Sequence, residues 1–421
     1  MAIKIILIKV IIVCFSVAQT HDLIDFVLEN NHEIKAAKTA YLTAQKKVKV
    51  AGALPEPFIS NSFGIIPIET RNGPIENQIM LSQKIPFLGK LKQERNIALV
   101  EAEIEKIKFL QTKIQIVYMV RKHIADFRQF VESLKILEKY KNNLESFINN
   151  AQTRYANGLD KSQSTILKLE LELVSVENKI NDLRGQLESS KNELKAIIGD
   201  NDFEKFKISN ISPPVDVDAE EFWFTHAREN NPRYLKAIAK VTLAENKYKL
   251  TKANTYPDLI AGLTYTFIGS FNSNENMQIG TDALGFKIGI NLPIWFVTNR
   301  AKVQLARLNQ QQQSQLLLDV WNHVEATIQN NLSALREANR IYDNYKDNIL
   351  KTAEQLSATS LSAIGVGMID FIDLLETMRI SVQTKLEFEK IKAKRSTLSA
   401  KLYQSVGMIN KNKENKDVHK D

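Results

Sequence analysis

Cysteine, proline and glycine are all scarce in this sequence, and each scarcity limits what the protein can be. The one cysteine, Cys14, lies near the N-terminus, so the rest of the 421 residues has no thiol chemistry. The chain has 10 prolines and 15 glycines, which favours long regular elements over loops. Proline is absent between Pro86 and Pro213 and again after Pro293, so both stretches predict very long helices.

Catalytic and metal-binding patterns are also lacking. The six histidines are scattered without paired spacing, and methionine-rich metal-binding clusters are absent. No nucleophile, base and acid occur in a recognisable arrangement. The sequence therefore predicts a protein that is not an enzyme and that holds no metal or other cofactor.

Two further absences concern membranes and nucleic acids. After the N-terminal segment, no stretch reaches the roughly 18 apolar residues of a membrane-spanning helix. The net charge is +8, but lysine and arginine are interleaved with nearly as many acidic residues. Because no base-reading motif or basic patch occurs, we expect no nucleic-acid partner.

The N-terminus predicts export. Lys4 and Lys9 accompany the apolar stretch "IILIKVIIVCFSVA", and Ser16-Val17-Ala18 is a small-x-small cleavage site. Residues 1–18 therefore have the pattern of a secretory signal peptide. Lipid attachment at Cys14 is the alternative. At the other end, residues 410–421 have the polar composition of a disordered tail.

An internal duplication accounts for nearly all of the remaining chain. Glu29-Asn30-Asn31 matches Glu229-Asn230-Asn231 at an offset of 200, and Pro86 pairs with Pro293 at an offset of 207. The repeats are residues 19–209 and 210–409. A duplicated unit, rather than two unrelated domains, is predicted.

Each repeat starts with a helix and continues with two strands. The first helix of each has apolar residues at heptad spacing, which is typical of a seam between helices. The strands are predicted at about 57–68 and 76–86, and at about 257–270 and 283–293. Their period-two pattern puts apolar residues on one face and small or polar residues on the other, as in a lipid-facing barrel strand. An ordinary half-buried hairpin has the same pattern.

Long helices follow the strands. The first is predicted over about 89–155, and a return helix over about 162–198. The return helix has a seam with alternating spacings of three and four, at Ile166, Leu169, Leu173, Val176, Ile180, Leu183 and Leu187. A plain coiled-coil protein explains these helices, but not the export signal or the paired hairpins.

This order of elements, given twice behind a signal peptide, resembles the TolC-type outer-membrane efflux proteins over residues 19–409. The motifs that carry the resemblance are "SQKIPFLGK" at the strand-to-helix passage, "RYANGLDKSQSTILKLELELVSVENKI" at the first helix turn and "IGVGMIDFIDLLETMRI" at the second. "AIIG" and "QSVG" close the repeats. The "IPFLGK" junction looks most like members that serve heavy-metal or cation exporters.

The resemblance implies a mixed, mainly α fold and an assembly. Four strands per chain would close a twelve-stranded β-barrel in the outer membrane of a homotrimer. Long coiled-coil helices would continue it as an α-helical barrel in the periplasm. The implied partners are a periplasmic adaptor protein, an inner-membrane pump, for instance of the resistance-nodulation-division type, and outer-membrane lipid.

The resemblance also implies site residues at the periplasmic tip. The helix turns that would meet the adaptor are marked by Tyr155, Gly158, Gly365 and Gly367. Asp373 and Glu376 fall where the family has carboxylates lining the closed entrance, and Asp370 extends the patch. Residues three apart share a helix face, so three copies would form stacked acidic rings that favour cations. A solvated helix face has the same spacing.

At the tip the sequence also departs from the family. Ile364 and Ile369 stand where some members have a tyrosine and an arginine that latch the tip shut, and Ser164 stands at the first-copy position equivalent to Asp373. We therefore expect apolar packing to replace that polar latch.

The remaining site residues mark the passages from barrel to helix. They are Pro86, Phe87 and Gly89 in the first repeat, and Pro293 and Trp295 in the second. Proline ends strand pairing because it has no N–H to donate, and Trp295 suits an aromatic belt at a membrane interface.

Three functions fit these patterns. The first is an outer-membrane exit duct of a tripartite efflux system, which passes small molecules or metal cations from an inner-membrane pump and a periplasmic adaptor to the exterior. The second is the duct of a type I protein secretion system. The third is a periplasmic coiled-coil scaffold without a channel.

Overall fold

The computed structural model describes residues 23–158, 163–204, 206, 220–273, 276–278, 280–365 and 368–409. The predicted signal peptide with Cys14, the predicted polar tail, and Gly367 lie outside the described residues.

The chain divides into two compact units. The helical unit consists of Met1–Ala37, Phe109–Pro232 and Asn322–Asp421, and the sheet unit consists of Lys38–Lys108 and Arg233–Trp321. Each unit therefore draws on both sequence repeats.

Helices make up most of the described chain. In order they are α1 (23–30), α2 (His32–Val50), α3 (Lys90–Ala156), α4 (Gln163–Ile198), α5 (Asp200–Phe203), α6 (Glu220–Asn230), α7 (Pro232–Ala253), α8 (Phe296–Asn344), α9 (Leu350–Gly365) and α10 (Phe371–Val406). Helix α3 has 67 residues, which is about 100 Å at ~1.5 Å per residue. A π-helical turn, Tyr345–Ile349, joins α8 to α9. Within the described residues, none of these helices combines the length and the apolar character needed to cross a membrane.

The strands lie in the sheet unit. They are β1 (Phe58–Ser62), β2 (Ile68–Thr70), β3 (Gly73–Ile85), β4 (Leu259–Ile268), β5 (Phe271–Ser273), β6 (Asn276–Gln278) and β7 (Ala283–Ile290). The main sheet is antiparallel with the order β1-β3-β4-β7, and β2 pairs with the start of β3. The first strand predicted, at 57–68, is in fact two short strands. Gly64 and Pro67 lie in the gap between them, where proline cannot donate a ladder hydrogen bond.

The strand register separates an apolar face from a polar face. On the polar face, Met80 pairs with Ser60 on one side and with Thr264 on the other, and Thr264 pairs with Gly285. The apolar face carries one aliphatic or aromatic side chain after another, and most are exposed, including Ile59, Leu81, Leu263, Leu284, Phe286, Ile288 and Ile290. Within the described residues, no element packs over this face strongly enough to bury it.

The helical unit has its own cores. One apolar cluster joins α3, α4 and α10 and contains Leu137, Leu144, Leu169, Val176 and Leu374. Leu169, Val176 and Ile180 belong to the seam predicted in the return helix. A second cluster joins α1, α3 and α4.

The structure explains why the same residues open and close the two repeats. Asn31 caps α2, with its Oδ1 accepting the N–H groups of Glu33 and Ile34, while its Nδ2 donates to the carbonyl of Ile197 at 3.0 Å. In the second repeat, Asn231 donates in the same way to the carbonyl of Ser405 at 2.6 Å. Gly199 and Gly407 follow these carbonyls with φ of 103° and 88°, a left-handed region that favours glycine. An asparagine clasp thus ties the start of each repeat to its end.

These features confirm the predicted fold class. The protein is mainly α-helical, carries a small antiparallel sheet, and repeats the same order of elements twice.

Candidate functional site

The first strand-to-helix junction is a tight turn after Pro86. Gly89 has φ of 95°, and the N–H of Lys90 donates to the carbonyl of Phe87 at 3.1 Å. The Phe87 ring stacks on Tyr256 with 4.7 Å between centroids. Helix α3 then begins at Lys90, so the predicted break from strand to helix spans only four residues.

A buried ion cluster holds this junction together. Lys90 and Asp258 are 6% and 5% exposed, and Lys90 Nζ lies 2.6 Å from Asp258 Oδ1. Lys84 Nζ lies 3.1 Å from Asp258 Oδ2, and the Phe87 N–H donates to Oδ1 at 2.9 Å. Burial alone would raise the pKa of Asp258, but hydrogen bonds from Lys90, the Phe87 N–H and Lys84 outweigh it and lower the pKa to about 2.

Sequence reasoning missed the importance of Lys90 and Asp258. The available signal was an acidic residue immediately before the first strand of the second repeat, opposite a lysine at the start of α3. Only the pairing of β3 with β4 brings the two together across 168 residues of sequence.

The second junction also passes from a strand through a proline to a helix, but its turn is different and its described residues form no ion cluster. Pro293 precedes a short turn in which the N–H of Phe296 donates to the carbonyl of Ile294, and Trp295 is 73% exposed. At the offset of 207, Lys84 corresponds to Asn291 and Lys90 corresponds to Val297. Val297 is exposed. The two junctions of one chain are therefore chemically different.

The first helix turn ends α3. The N–H of Gly158 donates to the carbonyl of Tyr155, and Gly158 has φ of 70°. Tyr155 is exposed. A Cβ at Gly158 would meet no atom within 4 Å, so the backbone conformation, rather than crowding, favours glycine there.

The second helix turn connects α9 to α10. Gly365 is the last residue of α9, and the N–H of Met368 donates back to the carbonyl of Ala363 at 2.9 Å. Ile364 and Ile369, at the positions where the resemblance implies a polar latch in some members, both pack against the α3–α4–α10 cluster. The polar side chains that the resemblance would require are thus replaced here by apolar contacts.

The three acidic residues lie at the start of α10 and are exposed. Asp370 is the N-cap, because its Oδ1 accepts the N–H groups of Ile372 and Asp373 at 2.9 and 2.8 Å. Asp373 lies in the first turn, and Glu376 follows one turn later. Asp370 therefore has a structural role in addition to the one predicted for it.

One buried carboxylate, which sequence reasoning missed, ties α10 to α4 and α3. Glu172 of α4 is 6% exposed. Its Oε2 accepts from Arg379 of α10 at 2.5 Å, and its Oε1 accepts from the Tyr140 hydroxyl of α3 at 3.2 Å. Burial and the neighbouring Glu172 raise the pKa of Tyr140, and the hydrogen bond to Glu172 raises the pKa of Arg379. The sequence did contain a signal for this buried residue. Glu172 lies three residues after Leu169 and four before Val176, which places it on the helix face that packs into the core.

This tie borders a groove between α4 and α10. The groove has a volume of about 900 Å³, and Glu376, Arg379 and Glu172 line it together with Leu171 and Ile372. One of the predicted gate residues, Glu376, therefore lies beside the buried tie. No group of three or more metal-ligating side chains occurs among the residues that the structure describes.

Comparison with known proteins defines the class. A sequence model of the outer membrane efflux protein family matches residues 23–200 and 223–408, one match for each repeat. The chain therefore belongs to the outer membrane efflux protein family. Members of this family are transport ducts, which confirms that the protein is not an enzyme, and membership indicates an outer-membrane location.

Solved structures share the fold at low identity. The chain superposes on a membrane protein from Pseudomonas aeruginosa with a TM-score of 0.76 and 15% identity, covering 92% of this chain and 93% of that one. The outer membrane protein VceC from Vibrio cholerae gives 0.75 and 15%, covering 93% and 96%. The outer membrane channel CmeC from Campylobacter jejuni gives 0.76 and 15%, covering 96% and 89%. No curated protein sequence matches the chain.

Proposed function

We propose that this protein is the outer-membrane exit duct of a tripartite efflux system and that it works as a homotrimer. The observation that carries the proposal is a sheet with the strand order β1-β3-β4-β7, which has two open edges, an exposed apolar face and a polar face, in a chain of the outer membrane efflux protein family.

The open edges support closure by further copies. β1 and β7 end the main sheet, and neither pairs on its outer side with another described strand. Unpaired backbone groups are not tolerated in lipid, so a sheet with an apolar lipid-facing side must close into a barrel. In a trimer, β7 of each chain would pair with β1 of the next, giving twelve strands.

The contrast between the two junctions supports the same assembly. Inside one chain, the seam between β3 and β4 is held by Lys90 and Asp258. The corresponding seam between two chains would bring Val297 and Phe58 together, since they occupy the repeat-equivalent positions. Both are exposed in the single chain, so association would bury apolar surface there.

The periplasmic tip would be the entrance. In this proposal Asp373 and Glu376, with Asp370, face the pore and favour cations, and Tyr155, Gly158, Gly365 and Gly367 mark the turns that meet a periplasmic adaptor. An inner-membrane pump, of the resistance-nodulation-division type or another, would supply the cargo, which is small molecules or metal cations.

We further propose that the Glu172 tie holds the entrance closed. Glu172 joins α10, which carries the acidic residues, to α3 and α4. The isoleucines that replace the family's latch cannot make directional bonds. The buried carboxylate of Glu172 makes such directional bonds, and its partner Arg379 lies one to two turns after Glu376 and Asp373 along α10.

The test is fractionation and electrophoresis of the full-length protein. We expect it in the outer-membrane fraction, migrating as a trimer without heating and as a monomer after boiling, and forming channels in planar bilayers. A monomer in the soluble periplasmic fraction would contradict the duct and favour the coiled-coil scaffold. A deletion strain that fails to secrete a protein, but still exports small molecules, would favour the duct of a type I secretion system.

A further inference from the structure

Within its paired rows, the polar face of the main sheet carries lysine but no acidic residue, and Asp258, the partner of Lys84, lies just before β4. Among the residues that pair in β1, β3, β4 and β7 on this face, Lys84 and Lys287 are the charged ones. The others are small, polar or apolar, including Ser60, Ser82, Gly262, Thr264 and Thr266. No acidic residue occurs in these paired rows.

The register places both lysines at the same end of the sheet. Lys84 pairs with Ile260, which pairs with Gly289, while Ser82 in the next row pairs with Gly262, which pairs with Lys287. The two lysines are therefore two strands and one row apart, about 12 Å between their Cα atoms. This end of the sheet is the one that continues into α3.

Neither charge is neutralised by its own carboxylate. Lys287 is exposed and makes no hydrogen bond or ion pair within the described residues. Lys84 reaches Asp258, but Asp258 is also the partner of the buried Lys90. Two lysines thus share one carboxylate, and the side chain of Lys84 remains about half exposed.

We propose that Lys84 and Lys287 form a basic girdle inside the barrel that selects for anionic solutes. The girdle rests on the proposed function, since three copies must close the barrel before the polar face becomes its interior. Its field is opposite in sign to that of the acidic residues proposed at the periplasmic entrance.

The neighbours of Lys287 support this role. Gly285 and Gly289 precede and follow it on the same face, and Gly262 pairs with it. No side chain from these positions covers its ammonium group or offers it an oxygen. The side chain is free to extend into the interior, where low-dielectric walls concentrate the field of like charges on passing ions.

The positive charge of the girdle indicates the class of cargo. Solutes that carry carboxylate or phosphate groups would be enriched at the girdle, whereas a free metal cation would meet a barrier there. Within the proposed duct, the girdle therefore favours anionic small molecules over metal cations as cargo.

The test measures the chloride-to-potassium permeability ratio in planar bilayers under a potassium chloride gradient. We expect Lys287→Gln to lower this ratio about twofold at ~0.15 M salt, where the Debye length is ~8 Å, and Lys287→Glu to lower it further. Lys287→Arg is the matched control, because it keeps the charge at the same position and should leave the ratio unchanged.

A measurement at high salt distinguishes an effect of the Lys287 charge from an effect of the side-chain shape. Near 1 M salt the Debye length falls to ~3 Å, so the difference between wild type and Lys287→Gln should disappear. If Lys287→Gln forms channels of normal conductance at low salt and its chloride-to-potassium permeability ratio is unchanged, the proposed basic girdle is wrong. Absence of any channel in the wild-type protein would overturn the duct itself.

Discussion

At the residue scale, two buried carboxylates stabilise different parts of the molecule. Asp258 pairs with two lysines and accepts a backbone N–H at a junction of the sheet unit. Glu172 accepts hydrogen bonds from an arginine and a tyrosine in the helical unit. A buried charge without a partner is costly, so each carboxylate is tied closely to the residues around it.

Removing the carboxylate at position 258 should destabilise the protein. Asp258→Asn leaves Lys90 buried without a counter-charge, and we expect the free energy of unfolding to fall by about 3 kcal/mol, as for other broken buried pairs. Denaturant unfolding in detergent measures this. Lys84→Gln, which alters only the more exposed lysine, should cost less than about 1 kcal/mol.

The same pair predicts a pH dependence. The folded-state pKa of Asp258 is lowered to about 2, below the ordinary value of about 3.9 for aspartate. Its contribution to stability is therefore present above pH ~4 and is lost as the pH falls towards 2. The stability difference between wild type and Asp258→Asn should shrink over that range, and a constant difference would contradict the proposed origin.

The exposed acidic residues of α10 predict an effect on ion selectivity. Asp373→Asn combined with Glu376→Gln should lower the potassium-to-chloride permeability ratio in planar bilayers, because the proposed acidic rings would be neutralised. Asp370 is kept, since it caps α10. Glu389→Gln, on the opposite side of the same helix, is the control. An unchanged ratio in the double variant would count against the rings.

At the element scale, the tie between α4 and α10 would determine how firmly the proposed gate is held. Arg379 lies one turn after Glu376, so a change at Glu172 acts on the same segment of α10 that carries the acidic residues. The apolar contacts of Ile364 and Ile369 remain when the tie is broken. Loss of the tie is therefore expected to loosen α10 without unfolding it.

Glu172→Gln should raise the basal conductance of the channel. The substitution removes the charge that binds Arg379, and we expect it to weaken the closed arrangement by about 2 kcal/mol per chain, the scale of a charged hydrogen bond. Single-channel recording in planar bilayers measures the change.

Glu177→Gln provides the comparison for that experiment. Glu177 also lies on α4 and pairs with Lys141 of α3 at 2.7 Å, but both side chains are partly exposed and α10 is not involved. Its conductance should stay at the wild-type level. Equal conductance in the two variants would refute a latch at Glu172.

Element types could be read from the sequence more readily than their ends. The proline-free stretches and heptad seams predict α3 and α4, because periodicity over many residues outweighs local exceptions. The strand predicted at 57–68 is interrupted between β1 and β2, where Gly64 and Pro67 lie, because proline cannot donate a ladder hydrogen bond. The π turn Tyr345–Ile349 has no marker in its composition.

At the scale of the whole molecule, duplication gives two similar halves with unequal junctions. Each repeat is closed by its own asparagine clasp, but among the described residues of the two junctions, the ion cluster occurs at the first and not at the second. In a trimer, seams with an ion cluster, each lying within one chain, would alternate around the barrel with apolar seams between neighbouring chains. Substituting Val297 should therefore affect assembly, and substituting Lys90 should affect folding of the single chain.

The effect on assembly can be measured directly. Val297→Asp would place a carboxylate in the proposed seam between chains, and we expect it to lower the fraction of heat-sensitive trimer on electrophoresis. Lys302→Asp, an exposed position of α8 five residues later, makes a larger charge change at another site and serves as the control. Trimer yields that fall equally for both substitutions would contradict a specific seam at Val297.

The sequence by itself determined the duplication, the long helices, the alternating strands and the family resemblance, because each of these is encoded in local periodicity or in matching residues. It did not reveal the partners of Glu172 and Asp258, or that Lys287 makes no ion pair within the described residues. Those depend on which residues come together from positions far apart in the chain: Glu172 meets Arg379 across 207 residues, and Asp258 meets Lys90 across 168. Whether a charge is paired, shared or left exposed is decided by helix packing and strand register, and therefore only by the tertiary structure.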